Sequence, residues 1–80
     1  MKETDLWKGN DTYRYIRANL GCTVYDIADM LNVEDPRERE LFIGKLKQQT
    51  YTLFANGMIE RGIGNDGLSH FRIYEKGGEE

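Results

Sequence analysis

The sequence predicts an α+β protein, mostly helical, in which three helices precede a β-hairpin. Three observations carry that expectation. Apolar residues recur at helical spacing from Tyr13 to Leu53, interrupted by stop signals at Gly21 and Asn32. After Asn56-Gly57 the pattern changes to alternation, with the turn signal Gly64-Asn65-Asp66-Gly67 in its middle. A chain of 80 residues has room for one domain only, because at this length just about 60–65% of the unfolded surface can be buried.

Each element has its own justification. Met1 to Gly9 lacks periodicity and is expected to be a flexible arm, with Leu6 and Trp7 able to dock on the fold. The domain is expected over residues 10–75. Asn10 or Asp11 offers an N-cap, Tyr13, Ile16, Arg17 and Leu20 follow at helical spacing, and Gly21 supplies the stop. Thr23 opens a second helix, with Asp26 as its capping-box partner and Val24, Ile27, Ala28 and Leu31 as its apolar face. Asn32 is suited to the left-handed conformation that ends this helix, and Val33 points back to the core. Asp35-Pro36 with Glu38 marks the start of a third, long helix running to about Asn56. Phe42, Leu46, Gln49, Leu53 and Gly57 cluster on one side of it, expected to be the buried one, flanked by Ile43, Thr50 and Phe54. Arg37, Gly44, Gln48, Tyr51 and Ala55 lie opposite, with Lys45 and Lys47 at the margins. Gly44 is a candidate kink or break. Met58 to Gly62 and Ser69 to Tyr74 read as the two hairpin strands, and residues 76–80 as a disordered tail.

Composition narrows the function classes. Hydrophobic residues at 39% and charged ones at 31%, with one proline, describe a foldable globular chain rather than a disordered one. No apolar run reaches the ~20 residues that cross a bilayer, and the polar N-terminus has no apolar core of a secretory leader. A single cysteine, Cys22, makes no internal disulfide, so a cytoplasmic, reducing location is expected. The net charge of −3 argues mildly against nucleic acid, but its distribution is uneven. Between Leu41 and Tyr74 stand four cations (Lys45, Lys47, Arg61, Arg72) and two anions (Glu60, Asp66). Of the 11 Lys+Arg and 14 Asp+Glu in the chain, the remainder is strongly acidic.

Two stretches then carry a resemblance. Thr23-Val24-Tyr25-Asp26-Ile27-Ala28-Asp29-Met30-Leu31-Asn32-Val33 is similar to the positioning helix and turn of a helix-turn-helix. Leu53-Phe54-Ala55-Asn56-Gly57-Met58-Ile59-Glu60-Arg61 is similar to the lead from a recognition helix into a wing strand. Together, over about Thr12 to Tyr74, the chain resembles the winged helix-turn-helix superfamily. The chemistry fits the pattern: Ala28 is small where two helices approach closely, and Gly57 lets the chain leave a helix in a left-handed conformation. The chain departs from compact relatives between Val33 and Gly57, where Glu34 to Leu41 looks like an extension of the third helix.

The resemblance implies a small DNA-binding protein, a transcriptional regulator without chemistry of its own, whose third helix enters the major groove of double-stranded DNA. Lys45, Lys47, Gln48, Tyr51 and Thr52 would face bases and phosphates, since Gln pairs with adenine and Lys reaches guanine or phosphate. Arg61, Asn65, His70 and Arg72 on the wing would meet the backbone or the minor groove. A homodimer through Leu6, Trp7 and Tyr13 or Tyr15 would suit a palindromic site, because Tyr13 and Tyr15 lie about 200° apart on a helix and cannot both face the core. The alternative is a winged helix used for protein–protein association, with the acidic flanks and Tyr51 as partner surface. The feature that separates the two is whether Lys45, Lys47, Arg61 and Arg72 converge on one face.

Other signals carry less. Gly62-Ile63-Gly64-Asn65-Asp66-Gly67 matches a dinucleotide-binding motif by letter, but a second strand follows where that motif needs a helix. Cys22 and His70, the only residues of their types, have no clustered carboxylates beside them, so no metal, cofactor or catalytic residue is expected. Asn10-Asp11-Thr12 reads as a helix cap rather than a glycosylation site.

Overall fold

The computed structural model describes residues 3–73. It is α+β and mostly helical, with element order α1 (Glu3–Leu6), α2 (Gly9–Ala18), α3 (Val24–Met30), α4 (Pro36–Ala55), β1 (Ile59–Ile63) and β2 (Ser69–Ile73). The three expected helices are α2, α3 and α4. The short α1 was not anticipated. The tail expected over 76–80, and Tyr74 at the end of the return strand, lie outside the described residues.

The described part of the expected arm is folded. Trp7 packs on the core and meets the Phe42 ring edge-on at a centroid distance of 6.4 Å. Its indole Nε1 donates to Thr12 Oγ1 at 2.7 Å, and the Thr12 hydroxyl donates in turn to Gln49 Oε1 at 2.6 Å. Thr12 is completely buried, so this relay supplies the hydrogen bonds that its hydroxyl would otherwise lose on leaving water. It joins the N-terminal segment, α2 and α4 in one contact. Leu6, by contrast, remains exposed.

Helix α2 is capped at Lys8, two residues before the first expected cap. Asp11 acts from inside the first turn, its carboxylate accepting from the Lys8 backbone N–H at 2.9 Å, which moves the start back to Gly9. The helix also ends early, at Ala18. Leu20 therefore falls in the turn and is exposed instead of extending the apolar face. Tyr13 and Tyr15 lie on opposite flanks of the buried Ile16, and both are half-buried against the core. Neither is left wholly to a partner, because a tyrosine can bury its ring body while its hydroxyl stays wet.

The second helix follows the sequence closely. Thr23 Oγ1 accepts from the Asp26 backbone N–H and Asp26 returns the favour to Thr23 N–H at 2.9 Å, forming the expected capping box. Asn32 takes the left-handed φ of 56° after it, and Val33 is buried. Asp35 caps α4 by accepting from the Arg37 N–H. Helix α4 then runs unbroken for 20 residues, about 30 Å, so Gly44 does not interrupt it. The extension at its N-terminal end is tied to α3 by Arg39 Nη2 and Asp29 Oδ1, 2.8 Å apart.

Gly57, at a φ of 74°, turns the chain into the hairpin. The strands pair antiparallel from Ile59 opposite Ile73 to Ile63 opposite Ser69. The core gathers Ile16 from α2, Ile27 and Ala28 from α3, Phe42, Leu46 and Leu53 from α4, and Ile59 and Phe71 from the hairpin. Backbone bonds from Gly21 N to Phe71 O at 2.7 Å and from Phe71 N to Cys22 O at 2.8 Å fasten β2 to the α2–α3 link. That anchorage fixes where the hairpin stands beside α4.

Candidate functional site

Helix periodicity divides α4 into rows. Lys47, Tyr51 and Phe54, spaced by four and three, form a row that faces the hairpin. Together with Tyr25 of α3, and with Arg61 and Leu68 of the hairpin region, they line an open cleft of about 460 Å³. No carboxylate lines it, which is notable for a chain of net charge −3. Among the described residues the Lys47 ammonium makes no hydrogen bond or ion pair, although the Lys47 carbonyl accepts from the Thr50 hydroxyl. The Arg61 guanidinium lies 5.2 Å from the centre of the Phe54 ring, a cation–π contact that holds the arginine across the gap between β1 and α4. Tyr51 is 65% exposed on the cleft rim.

The acidic side of the fold lies elsewhere. Asp26 and Asp29 border a shallow depression with Tyr15 and Met30 on the other side of α3, and Asp29 is already paired with Arg39. The carboxylates of α3 therefore border a different depression from the cleft that Lys47 and Arg61 line.

The four cations expected to converge do not all do so. Lys47 and Arg61 meet at the cleft. Lys45 stands about 200° from Lys47 around the helix, and its Nζ donates to the Thr4 carbonyl of α1 at 2.8 Å. Arg72 faces its cross-strand neighbour Glu60, with Nε to Oε1 at 3.2 Å, and that pair has no net charge. Of the polar residues, Gln48 is exposed one turn before Thr52. The Thr52 hydroxyl donates to the Gln48 backbone carbonyl at 3.1 Å, so its proton is not available for a phosphate oxygen. Asn65 is exposed at the hairpin tip. His70 has both ring nitrogens engaged, Nδ1 with the Gly21 carbonyl at 2.7 Å and Nε2 with Asp66 at 3.1 Å.

Sequence reasoning missed Tyr25, Phe54 and Leu68 as cleft residues and Gly21 and Asp66 as partners of His70. Phe54 had been assigned to the buried flank of the helix. It is instead 42% exposed beneath Arg61. A strand cation a few residues after a helix-terminal aromatic is the one signal that pointed to it. Nothing local joins Gly21 to His70, which are 49 positions apart.

Cys22 is buried, and burial, reinforced by the nearby Asp26 charge, pushes its thiol up to about 11. A thiol held protonated at neutral pH is the opposite of an activated nucleophile. Among the described residues no group of three or more His, Cys, Asp or Glu stands together as a metal site, and no helix is long and apolar enough to cross a membrane. Comparison with known protein families, with curated proteins and with solved structures found no match to this chain.

Proposed function

We propose that the chain is a winged-helix DNA-binding protein that presents the outer side of α4 to a major groove and uses the hairpin as its wing. The observation that supports this reading is the carboxylate-free cleft where Lys47 and Arg61 converge beside the exposed Gln48 and Tyr51. In this arrangement Lys47 and Arg61 take phosphates, Gln48 and Tyr51 are within reach of base edges, and Asn65 probes the backbone from the wing tip. Lys45, Thr52, His70 and Arg72 act as supports of the fold in the free protein. Two phosphate contacts, rather than the four that full convergence would bring, make the binding modest in strength.

The test is duplex binding measured at several salt concentrations. Two neutralised phosphates give a log–log slope of about −1.8, and Lys47→Glu abolishes binding while circular dichroism stays unchanged. A flat salt response, or unaltered affinity in Lys47→Glu, overturns the reading. One observation favours a second reading, association with a protein: Tyr51, Phe54, Met58 and Ile63 are all exposed around the hairpin and the end of α4. A flat salt response would transfer the site to that role.

A further inference from the structure

We infer that His70 is a protonation-dependent clasp that holds the tip of the hairpin against the body of the protein. Two separate pieces of chain, the α2–α3 link and the hairpin turn, meet at its ring. Nδ1 lies 2.7 Å from the Gly21 carbonyl in the α2–α3 link, and Nε2 lies 3.1 Å from both carboxylate oxygens of Asp66 in the hairpin turn. The turn also closes over the ring at Gly64, where an added Cβ would fall 2.7 Å from His70 Nε2 and 2.9 Å from Asp66 Oδ1. Asp66 is oriented for this by accepting the Leu68 backbone N–H at 3.0 Å.

Both partners of the ring are acceptors only. A neutral imidazole carries one N–H and must turn a lone pair toward either the carbonyl or the carboxylate, so the imidazolium alone satisfies both sides. The surroundings point the same way. The Gly21 carbonyl, then the Asp66 carboxylate, hold the His70 pKa above the ordinary 6.5, with Asp26 of α3 adding to the negative field. The Leu68 N–H, then His70, hold Asp66 below its ordinary 3.8. The other charged groups around the ring are Glu60 and Arg72, which pair with each other, and Arg61 on β1. Cys22, beside Gly21, stays uncharged in this range.

The sign follows directly. Because the folded-state value of His70 is raised, the clasp is complete below 6.5 and is lost as pH rises through the raised value; at the acid end it is lost as Asp66 protonates below 3.8. The sheet itself does not depend on it, because the backbone bonds between Phe71 and the Gly21–Cys22 segment remain. What is released is the tip, and the tip supplies Gly67 and Leu68 as a wall of the cleft. Resting on the proposed function, the clasp makes the wing's fit to a duplex pH-dependent.

His70 is the only histidine in the chain, so its imidazole resonances are unambiguous by NMR. The expected result is a titration midpoint above 6.5 with both ring nitrogens protonated on the acid side. The backbone amides from Asn65 to Leu68 shift with the same midpoint, while that of Phe71 does not. Asp66→Asn lowers the midpoint and abolishes the coupled tip shifts, with core resonances reporting that the fold is kept. A midpoint at or below 6.5, or tip amides indifferent to the titration, overturns the clasp. These measurements contain no DNA. Absence of duplex binding at every pH would therefore remove the reading of the cleft, whereas duplex affinity unchanged across the His70 midpoint would remove the coupling between clasp and wing.

Discussion

Two sides of helix α4 use similar residues for opposite purposes. On the side facing the N-terminal segment, Phe42, Lys45 and Gln49 are all taken: Phe42 by the Trp7 ring, Lys45 by the Thr4 carbonyl, and Gln49 by the Thr12 hydroxyl. On the side facing the hairpin, the Lys47 ammonium has no partner among the described residues, Tyr51 is exposed, and Phe54 is 42% exposed beneath an arginine that is itself exposed. The difference teaches that residue type does not decide a lysine's role here. Two positions of helical rotation do, turning one ammonium into a tether between elements and leaving the other to solvent.

The largest effect that could break this comparison is the loss of Trp7. If the N-terminal side of α4 is sealed by packing, Trp7→Ala removes a large ring and leaves the Thr12–Gln49 relay open, costing about 3 kcal/mol. Tyr51→Ala on the other side changes stability by less than about 0.5 kcal/mol, as expected for a surface substitution away from packed features. Urea denaturation followed by circular dichroism measures both. Equal losses would mean that the two sides are not distinct in kind.

The lysine pair sharpens the comparison at a smaller scale. Lys45→Ala gives up one charge-assisted hydrogen bond to Thr4 and is expected to cost about 1 kcal/mol, with no change in the salt dependence of duplex binding. Lys47→Ala leaves the denaturation midpoint alone and reduces the magnitude of the log–log slope by about 0.9, one phosphate contact. The two variants thus move different observables. A change of slope in Lys45→Ala would place the α1 side of the helix at the duplex as well.

How much of this was legible beforehand depended on whether the cause was local. The Thr23–Asp26 capping box, the Asp35-Pro36 start, the left-handed Asn32 and the Gly57 exit each arise within a few residues, and each was readable from the sequence. The expected cap of α2, Asn10 or Asp11, lies two or three residues past Lys8 because Asp11 is equally suited to the cap and to the first turn. The face of Lys45 was legible in part. The rotation separating it from Lys47 follows from the helix, but its partner lies on a four-residue helix with no periodicity to reveal it. The pairing of Arg72 with Glu60 required the hairpin register, and the seat of His70 required knowing that the α2–α3 link folds onto β2. The site was therefore harder to read than the fold. Its residues could be named from type, while their availability was fixed by contacts from distant parts of the chain.

The smallest effect tests where the open side of α4 begins. Gly44 lies in the middle of the helix, exposed, one turn before Gln48, and an added Cβ there would meet nothing within 4 Å. With no close approach and no positive φ to require it, glycine only weakens the helix. Gly44→Ala is accordingly expected to stabilise the protein by up to about 1 kcal/mol, seen as a raised Tm. If the contact surface starts at Lys47, duplex affinity stays unchanged as stability rises. Should the extra methyl group instead weaken binding, the groove must run closely along α4 as far back as Gly44. The glycine would then be explained by the approach of the DNA backbone, and the Lys45 side of the helix would have to be counted as part of the interface.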